Sequence, residues 1–268
     1  MDLETLLGGV VIPVDKPRQW TSFQAVTKVK STIRNLYGVK KFKIGHAGTL
    51  DPLATGLLLV CVGKATKRIA QLQEGEKVYS GTMVLGATTP CYDLERPVDA
   101  YYPYKHITFE LLDETRKQFV GDIRQVPPVF SAVKIEGERA YRLAQAMTGE
   151  NGDEMPSPTP KTVQVREFQI TAFRQGMPEV SFSSSPTDSM ATASHLYKSP
   201  LGEVPTGLPQ VDFRIRCGKG TYIRSIARDF GTAMGSGAFL SALRREQVGE
   251  YTIAEAVGME NIESFFKS

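Results

Sequence analysis

The sequence predicts an α+β protein with a mixed, largely antiparallel central sheet flanked by helices. Apolar and polar residues alternate cleanly over residues 210–217, and a continuous apolar run covers residues 57–62, so both stretches indicate strands. Helical periodicity is confined to separate stretches, of which residues 22–37 are the clearest. Because strands and helices follow one another in no repeating order, the pattern does not favour a doubly wound βαβ protein.

The first half of the chain begins with a short strand and a capped helix. Thr21 or Ser22 can cap the start of that helix, and Gly38 ends it. A basic, glycine-rich loop then leads into a strand that reads as buried on both faces. The predicted elements are a strand at 9–14, a helix at 22–37, the loop at 40–52, a strand at 57–62, a helix at 64–73 and a strand at 78–85.

The second half alternates in the same irregular way. The predicted elements are a helix at 108–120, an extended stretch at 127–134, a helix at 139–147, strands at 161–173 and 210–217, a helix at 223–234 and a basic turn through Arg244 and Arg245. Residues 183–207 are rich in Ser, Thr and Pro and predict an exposed insertion. Near-copies at 176–182 and 207–213 bracket it, and we expect the second copy to be the true strand.

Composition indicates an ordinary folded protein in a reducing compartment. The 268 residues are 41% hydrophobic and 23% charged, and the three cysteines are widely spaced, which disfavours a zinc site or a disulfide framework. The N-terminus has no basic segment of a signal peptide, and the longest apolar run is too short for a bilayer. We therefore expect a cytoplasmic protein with no membrane association.

Charge is concentrated in two basic segments. Residues 1–75 hold 11 Lys and Arg against 5 Asp and Glu, and residues 214–245 hold 7 against 1, although the net charge is only +3. Such segments suit a polyanion such as nucleic acid. Charge alone favours the plainer interpretation, which is two solvated faces.

The densest motif is Gly-His-Ala-Gly-Thr-Leu-Asp-Pro-Leu-Ala-Thr-Gly-Leu at residues 45–57. Asp51 followed by Pro52 is typical of a helical turn with its cap. That interpretation does not explain the His-x-Gly-Thr run that precedes the aspartate.

This segment resembles, nearly letter for letter, the catalytic segment of the tRNA pseudouridine-55 synthase family (TruB type). Five further segments resemble the family's other motifs and occur in the family's order between residues 9 and 249. They are Asp-Lys-Pro at 15–17, Lys-Val-Tyr at 77–79 with Leu-Gly at 85–86, the stretches 127–134 and 140–143, Cys-Gly-Lys-Gly-Thr-Tyr-Ile-Arg at 217–224, and Leu-Arg-Arg at 243–245.

The resemblance implies isomerisation of a T-loop uridine of tRNA to pseudouridine by base flipping. It makes Asp51 the catalytic carboxylate, which attacks C1′, adds to C6 or removes a ribose proton; the residues leave these three roles open. It assigns the ion pair that keeps Asp51 charged to Arg224, and it makes Tyr79 the ring that stacks on uracil and helps to take the C5 proton. Because the reaction only rearranges atoms, no cofactor or metal is expected.

The resemblance also implies a set of substrate-binding residues. His46 would fill the gap left by the flipped base, and Tyr222 and Leu243 would line the uracil pocket. The remaining expected substrate-binding residues are Lys16, Pro17, Asp93 and Lys219. Candidates for phosphate contacts are Lys16, Lys40, Lys41, Lys43, Lys219, Arg244 and Arg245.

The expected organisation is one catalytic domain over residues 1–255. Within it, residues 121–160 would form a thumb-like segment that grips RNA, and residues 183–207 would form the insertion. Residues 256–268 are expected to be a short tail, too short for the C-terminal RNA-binding (PUA-type) domain that many family members carry. The expected partner is the T-arm of tRNA, bound by a monomer.

The sequence departs from the family pattern at one loop, and it raises competing functions. Residues 88–93 read Thr-Thr-Pro-Cys-Tyr-Asp where the family shows T-D-T, so Pro90 replaces the first acid. A serine acyl-transfer enzyme built on Ser131 and Lys134 is rejected because the required K-T-G is K-G-T here, and no P-loop motif is present. A non-catalytic RNA-binding protein, or an isomerase of another T-arm-like RNA, stays open.

Overall fold

The structure is a computed structural model that describes residues 1–130, 134–135, 138–139, 158–176 and 201–267. The strands are β1 (Val10–Lys16), β2 (Ile44–Ala47), β3 (Thr55–Val62), β4 (Lys77–Leu85), β5 (Ala87–Thr88), β6 (Ala100–Tyr101), β7 (Gly121–Gln125), β8 (Lys134–Ile135), β9 (Glu138–Arg139), β10 (Lys161–Arg174), β11 (Gln210–Cys217), β12 (Ala238–Val248), β13 (Tyr251–Thr252) and β14 (Val257–Gly258). The helices are α1 (Leu3–Gly9), α2 (Ser22–Tyr37), α3 (Ile69–Glu74), α4 (Phe109–Arg116), α5 (Ile223–Ala233) and α6 (Ile262–Lys267), with 3-10 turns at Gly63–Arg68, Lys117–Phe119 and Ile253–Glu255.

A ten-stranded sheet has the order β14-β1-β3-β12-β4-β11-β10-β7, with β13 beside β12 and β2 beside β3. β1–β3, β2–β3, β7–β10 and β12–β13 are antiparallel pairs, whereas β1–β14 and β3–β12 are parallel. β5–β6 and β8–β9 form two small separate pairs. The prediction of an α+β fold with a mixed, largely antiparallel sheet is therefore confirmed.

The chain divides into two compact units. The first comprises 1–80, 215–219 and 242–268, and the second comprises 81–214 and 220–241. The long strands β4, β11 and β12 each contribute residues to both units.

In the first unit, α2 packs on the apolar strands β1 and β3. Thr21 accepts from the N–H of Gln24, whose side chain returns the bond in a capping box, and Gly38 ends the helix at φ 66°. The predicted bounds of α2 are confirmed because these capping signals are local. The core is made by buried residues of these elements, among them Ile12, Val14, Ala25, Val29, Ile33, Leu58 and Val60.

In the second unit, four phenylalanine rings form the centre of packing. Phe168 lies 5.2 Å from Phe230 and 6.3 Å from Phe213, and Phe119 lies 5.6 Å from Phe230, as measured between ring centroids. These rings come from β10, β11, α5 and the turn after α4, so this aromatic cluster holds α5 in place.

The C-terminal residues 256–267, expected to be a short tail, pack within the first unit. β14 pairs in parallel with β1, and the α6 side chains Ile262 and Phe266 are buried in the core. The carbonyl oxygen of Phe266 accepts hydrogen bonds from the Tyr37 hydroxyl at 3.1 Å and from the Met1 amino group at 3.2 Å. A segment this short is ordered by strand pairing and by two buried apolar anchors.

Other expectations need smaller corrections. The basic turn through Arg244 and Arg245 is instead the middle of the strand β12, and the basic loop 40–52 contains β2. The helix expected at 64–73 is a 3-10 turn followed by α3. Of the near-copies, 207–213 does enter a strand, β11. Most of the thumb segment, including the helix expected at 139–147, and insertion residues 183–200 lie outside the described residues.

Candidate active site

Asp51 opens a four-residue turn between β2 and β3. The N–H of Ala54 donates to the Asp51 carbonyl oxygen at 3.1 Å, and Pro52 occupies the second position, which suits its fixed φ. Gly56 follows at φ 99°, where an added Cβ would lie 2.3 Å from the Arg245 carbonyl oxygen. Only glycine therefore fits where β3 leaves the turn, and the cap predicted at Asp51 is a turn rather than a helix start.

The turn is fastened to the start of α2. The Ser22 hydroxyl donates to the Leu50 carbonyl oxygen at 3.1 Å and accepts from the Leu50 N–H at 2.9 Å. The N–H of Gln19 donates to the Pro52 carbonyl oxygen at 2.8 Å. Ser22 is buried, so these bonds are shielded from water. Sequence reasoning treated Ser22 only as a helix cap and missed its contact with the residue before Asp51.

Lys16 supports the same turn and is a correction to the sequence-based expectation. Its side chain is fully buried, and its ammonium donates to the carbonyl oxygens of Trp20 at 2.6 Å, Pro17 at 3.1 Å and Pro52 at 3.2 Å. A cation bound in this way faces backbone oxygens and not solvent, so it does not fit a phosphate contact. Pro17 contributes its carbonyl oxygen to this arrangement.

Arg245 fastens the turn from β12 and is a second correction. Its Nε donates to the Leu57 carbonyl oxygen at 2.8 Å, its Nη2 donates to the Gly48 carbonyl oxygen at 3.0 Å, and its side chain is only 1% exposed. The guanidinium thus bridges the two ends of the segment that carries Asp51. It was expected at a phosphate, and burial removes it from that role.

Its neighbour Arg244 points to the opposite side of β12. It forms a bidentate ion pair with the Asp15 carboxylate at 2.7 and 3.1 Å and remains partly exposed. Adjacent residues of a strand face opposite sides of the sheet, which explains why two consecutive arginines have different environments.

Tyr79 shares its surroundings with Asp51 and Arg245. Burial raises the pKa of the Tyr79 hydroxyl, the nearby charge of Asp51 adds to the rise, and the charge and hydrogen bond of Arg245 oppose it. The phenol is therefore protonated at neutral pH. Asp51 and Tyr79 interact electrostatically although 28 residues separate them in the sequence. Their joint role in catalysis stays a prediction of the resemblance.

His46 lies in β2 opposite Val60 of β3. Burial and the positive charge of Arg245 lower its pKa, and a backbone contact at Gly48 opposes them. Its Nδ1 is buried without a hydrogen-bond partner among the described residues. His46 therefore presents a neutral, half-buried imidazole at the edge of the catalytic segment. The resemblance assigns this side chain to the gap left by the flipped base.

The other predicted residues of the first unit are near its surface. Leu243 is half-buried against the apolar core, and its carbonyl oxygen accepts from the Thr55 hydroxyl at 3.4 Å. Lys219 is exposed and paired with Glu74. Lys40, Lys41 and Lys43 are exposed in the turn after α2, and their phosphate contacts stay predictions.

In the second unit, Arg224 is buried at the start of α5. Its guanidinium donates to the carbonyl oxygens of Cys91 at 3.0 Å and Phe130 at 2.9 Å, and it lies 3.7 Å from the Asp93 carboxylate. Asp93 is only 5% exposed and also accepts from the N–H of Glu95 at 2.9 Å. Asp93 thus holds Arg224, whereas sequence reasoning expected it to bind substrate.

Tyr222 precedes α5 and is held by its backbone. The side-chain amide of Gln125 accepts from the Tyr222 N–H at 2.8 Å and donates to the Tyr222 carbonyl oxygen at 3.0 Å. Gln125 is buried at the end of β7, the first strand of the expected thumb segment. Sequence reasoning missed Gln125, because a single glutamine in a strand carries no recognisable signal.

Neither a candidate metal cluster nor a candidate membrane span occurs within the described ranges. No group of three or more His, Cys, Asp or Glu side chains there could hold a metal ion. No helix in the same ranges is long and apolar enough to cross a bilayer.

Comparison with known proteins identifies the family of the chain. The family model for TruB family pseudouridylate synthase (N terminal domain) matches residues 34–223, and that for the tRNA pseudouridylate synthase B C-terminal domain matches residues 224–268. The protein named tRNA pseudouridine synthase B of Flavobacterium johnsoniae is 46% identical over 258 residues, covering 96% of each chain. That of Parabacteroides distasonis is 41% identical over 261 residues, covering 97% of this chain and 94% of the relative.

Among solved structures, a chain of a Cbf5-Nop10-Gar1 complex matches with a TM-score of 0.63 at 24% identity. The match covers 99% of this chain and 57% of that one, so this chain spans little more than half of its length, and the likeness concerns the fold. The family models and the relatives above 40% identity place the chain in the TruB family of pseudouridylate synthases.

Proposed function

We propose that this protein isomerises a uridine of tRNA to pseudouridine, with Asp51 as the catalytic carboxylate. The observation that carries the proposal is the environment of Asp51. Its turn is fastened by Ser22, Lys16 and Arg245, and its charge acts on the hydroxyl of Tyr79. A carboxylate on a turn fastened at several points, with an electrostatic effect on a tyrosine, suits a reaction that needs both an acid-base or nucleophilic group and a stacking surface. Relatives at 41–46% identity carry the name tRNA pseudouridine synthase B.

The chemistry requires three events. The N1–C1′ bond breaks, the uracil rotates, and C5 bonds to C1′ while the C5 hydrogen leaves. Attack on C1′, addition to C6 and removal of a ribose proton all need Asp51 ionised, and the ion pair with Arg224 that the family resemblance implies is part of the proposal. The contacts of Arg224 with Asp93 and with two carbonyl oxygens would hold its guanidinium ready for that pair.

The remaining site residues receive roles by the same resemblance. The Tyr79 ring stacks on the extruded uracil. Its protonated hydroxyl can donate a hydrogen bond while C5 loses its proton. His46 fills the space of the flipped base, and Tyr222 and Leu243 line the uracil pocket. Recognition of the T-arm at its position-55 uridine, a monomeric state and a cytoplasmic location belong to the same proposal.

Tritium release tests the proposal. With tRNA carrying tritium at uracil C5, the protein should release one equivalent to water, and Asp51→Asn should release none while binding tRNA within a few-fold of wild type. Glu114→Gln, which alters an exposed carboxylate of α4, is the matched control and should behave as wild type. Release from Asp51→Asn at the normal rate would remove Asp51 from the mechanism.

Two substrates extend the test. A tRNA with cytidine in place of the position-55 uridine should release nothing, and release from it would place the modified uridine elsewhere. If tRNA binds but never releases tritium, the chain is an RNA-binding protein on this scaffold. If only another hairpin releases tritium, the substrate is a T-arm-like RNA and not tRNA.

A further inference from the structure

Phe23 presents its ring to solvent at the start of α2. Its exposed fraction is 74%, the highest among the exposed large hydrophobic residues of the described ranges. Its neighbours Ala25, Val26 and Val29 are buried in the core, so α2 directs its apolar face inwards and leaves Phe23 on the outer face. A single exposed apolar side chain is ordinary, so its location decides whether it has a role.

That location is next to the catalytic turn. Ser22, which precedes Phe23, makes both hydrogen bonds to Leu50, and Gln19 donates to the Pro52 carbonyl oxygen. These bonds attach the start of α2 and the segment just before it to the residues on either side of Asp51. Phe23 is thus an exposed aromatic ring on the element that supports the catalytic carboxylate.

The same face of α2 carries two basic residues in its second half, a half-buried Lys30 and an exposed Arg34. Thr27, Lys30 and Arg34 follow Phe23 at helical spacings of four, seven and eleven residues, which align them with it on one side of the helix. Arg34 donates to the Lys40 carbonyl oxygen at 2.9 Å, which joins this face to the exposed lysines of the following turn. Between residues 16 and 73 the sequence holds 11 Lys and Arg, and Asp51 is its single acid.

We infer that Phe23 is a stacking platform for an unpaired RNA base beside the target uridine, and that Lys30 and Arg34 hold the phosphates of the strand leading from it. The inference rests on the proposed function, because it takes RNA as the occupant of this face. A row of cations with an exposed aromatic ring at one end is the arrangement that binds single-stranded nucleic acid. Since every base has a stacking face, Phe23 contributes affinity without choosing the base.

Binding and turnover of Phe23 variants test the platform. Phe23→Ala should raise both the Kd and the KM for tRNA by at least about fivefold, with kcat within about twofold, because stacking is lost and the catalytic turn is untouched. Phe23→Tyr keeps the ring and should match wild type. Phe109→Ala, which removes a 48% exposed ring from α4, is the matched control and should leave Kd unchanged. Unchanged Kd and KM in Phe23→Ala would overturn the stacking role.

Salt dependence tests the phosphate contacts. The double variant Lys30→Gln with Arg34→Gln should reduce the slope of log Kd against log salt by about one for each lost contact. The control double variant, Lys117→Gln with Lys267→Gln, removes ammonium groups that are each paired with a glutamate at 2.6 Å, and its slope should equal that of wild type. Equal slopes in both double variants would overturn the phosphate contacts of Lys30 and Arg34.

Failure of the two proposals can be told apart. If wild type binds tRNA without releasing tritium, the isomerase proposal fails, whereas the comparison of Phe23→Ala with Phe23→Tyr still decides the stacking role. If wild type isomerises tRNA and Phe23→Ala does so with unchanged KM, only the platform is lost.

Discussion

The Ser22 hydroxyl satisfies both backbone groups of Leu50, donating at 3.1 Å and accepting at 2.9 Å, and so fixes the residue before Asp51. Ser22→Ala would leave a buried N–H and a buried carbonyl oxygen without their partner, which costs about 1–3 kcal/mol for each unsatisfied group. We expect a lower free energy of unfolding in urea and a lower kcat, because the catalytic turn gains freedom.

Ser31→Ala is the control for this prediction. Ser31 lies on the same helix, is exposed, and donates only to the Lys28 carbonyl oxygen at 2.9 Å. Its removal should change stability by less than about 0.5 kcal/mol. Equal effects of the two substitutions would show that the bonds to Leu50 do not hold the turn.

Arg245→Lys should destabilise the protein, whereas Arg244→Lys should not. Arg245 reaches the Leu57 and Gly48 carbonyl oxygens with two different nitrogens, and a single ammonium cannot reproduce that fork. At least one buried acceptor would lose its donor, at about 1–3 kcal/mol. Lysine at 244 can still pair with Asp15 near the surface, where such a pair contributes about 1 kcal/mol or less. Urea unfolding of both variants measures the difference, and equal losses would contradict the bridging role of Arg245.

The depressed pKa of His46 makes stability depend on pH. In the unfolded chain His46 binds a proton below its ordinary value of 6.5, whereas burial and Arg245 resist protonation of the folded state. The unfolded state therefore holds more protons as pH falls below that value, and the free energy of unfolding should decrease. The contribution of neutral His46 to the free energy of unfolding is fully present above pH 6.5, and it is lost as the pH falls through the folded-state pKa.

His46→Asn checks this dependence. Urea unfolding between about pH 7.5 and pH 5 should show a smaller loss of stability in the variant than in wild type, because the depressed titration is gone. If the free energy of unfolding falls equally with pH in the variant and in wild type, another group causes the pH dependence.

Phe266→Ala tests whether the C-terminal helix belongs to the core. Phe266 is 2% exposed, and removing a buried phenylalanine costs about 3–5 kcal/mol. Phe265→Ala, which removes the adjacent half-buried ring, should cost markedly less. Thermal and urea unfolding compare the two variants, and a loss at Phe266 no larger than at Phe265 would restore the view of these residues as a tail.

Elements with local signals were predictable from sequence, and those held by distant contacts were not. α2 was predicted because Thr21, the apolar spacing and Gly38 all act within one helix. β12 was missed because two adjacent arginines suggest a solvated turn. One of them is buried, since the carbonyl oxygens that accept its hydrogen bonds lie 188 and 197 residues earlier in the chain.

The sequence by itself determined the α+β class, the segment that carries Asp51 and the chemistry that a carboxylate and an aromatic ring can perform. Only the tertiary structure decided which cations face solvent and which support the catalytic turn. Lys16 and Arg245 could not be separated from the phosphate-binding candidates by their sequence, because a basic motif looks the same in either role. A charged side chain can be buried only where other segments supply enough hydrogen-bond acceptors, and those acceptors come together only when the chain folds.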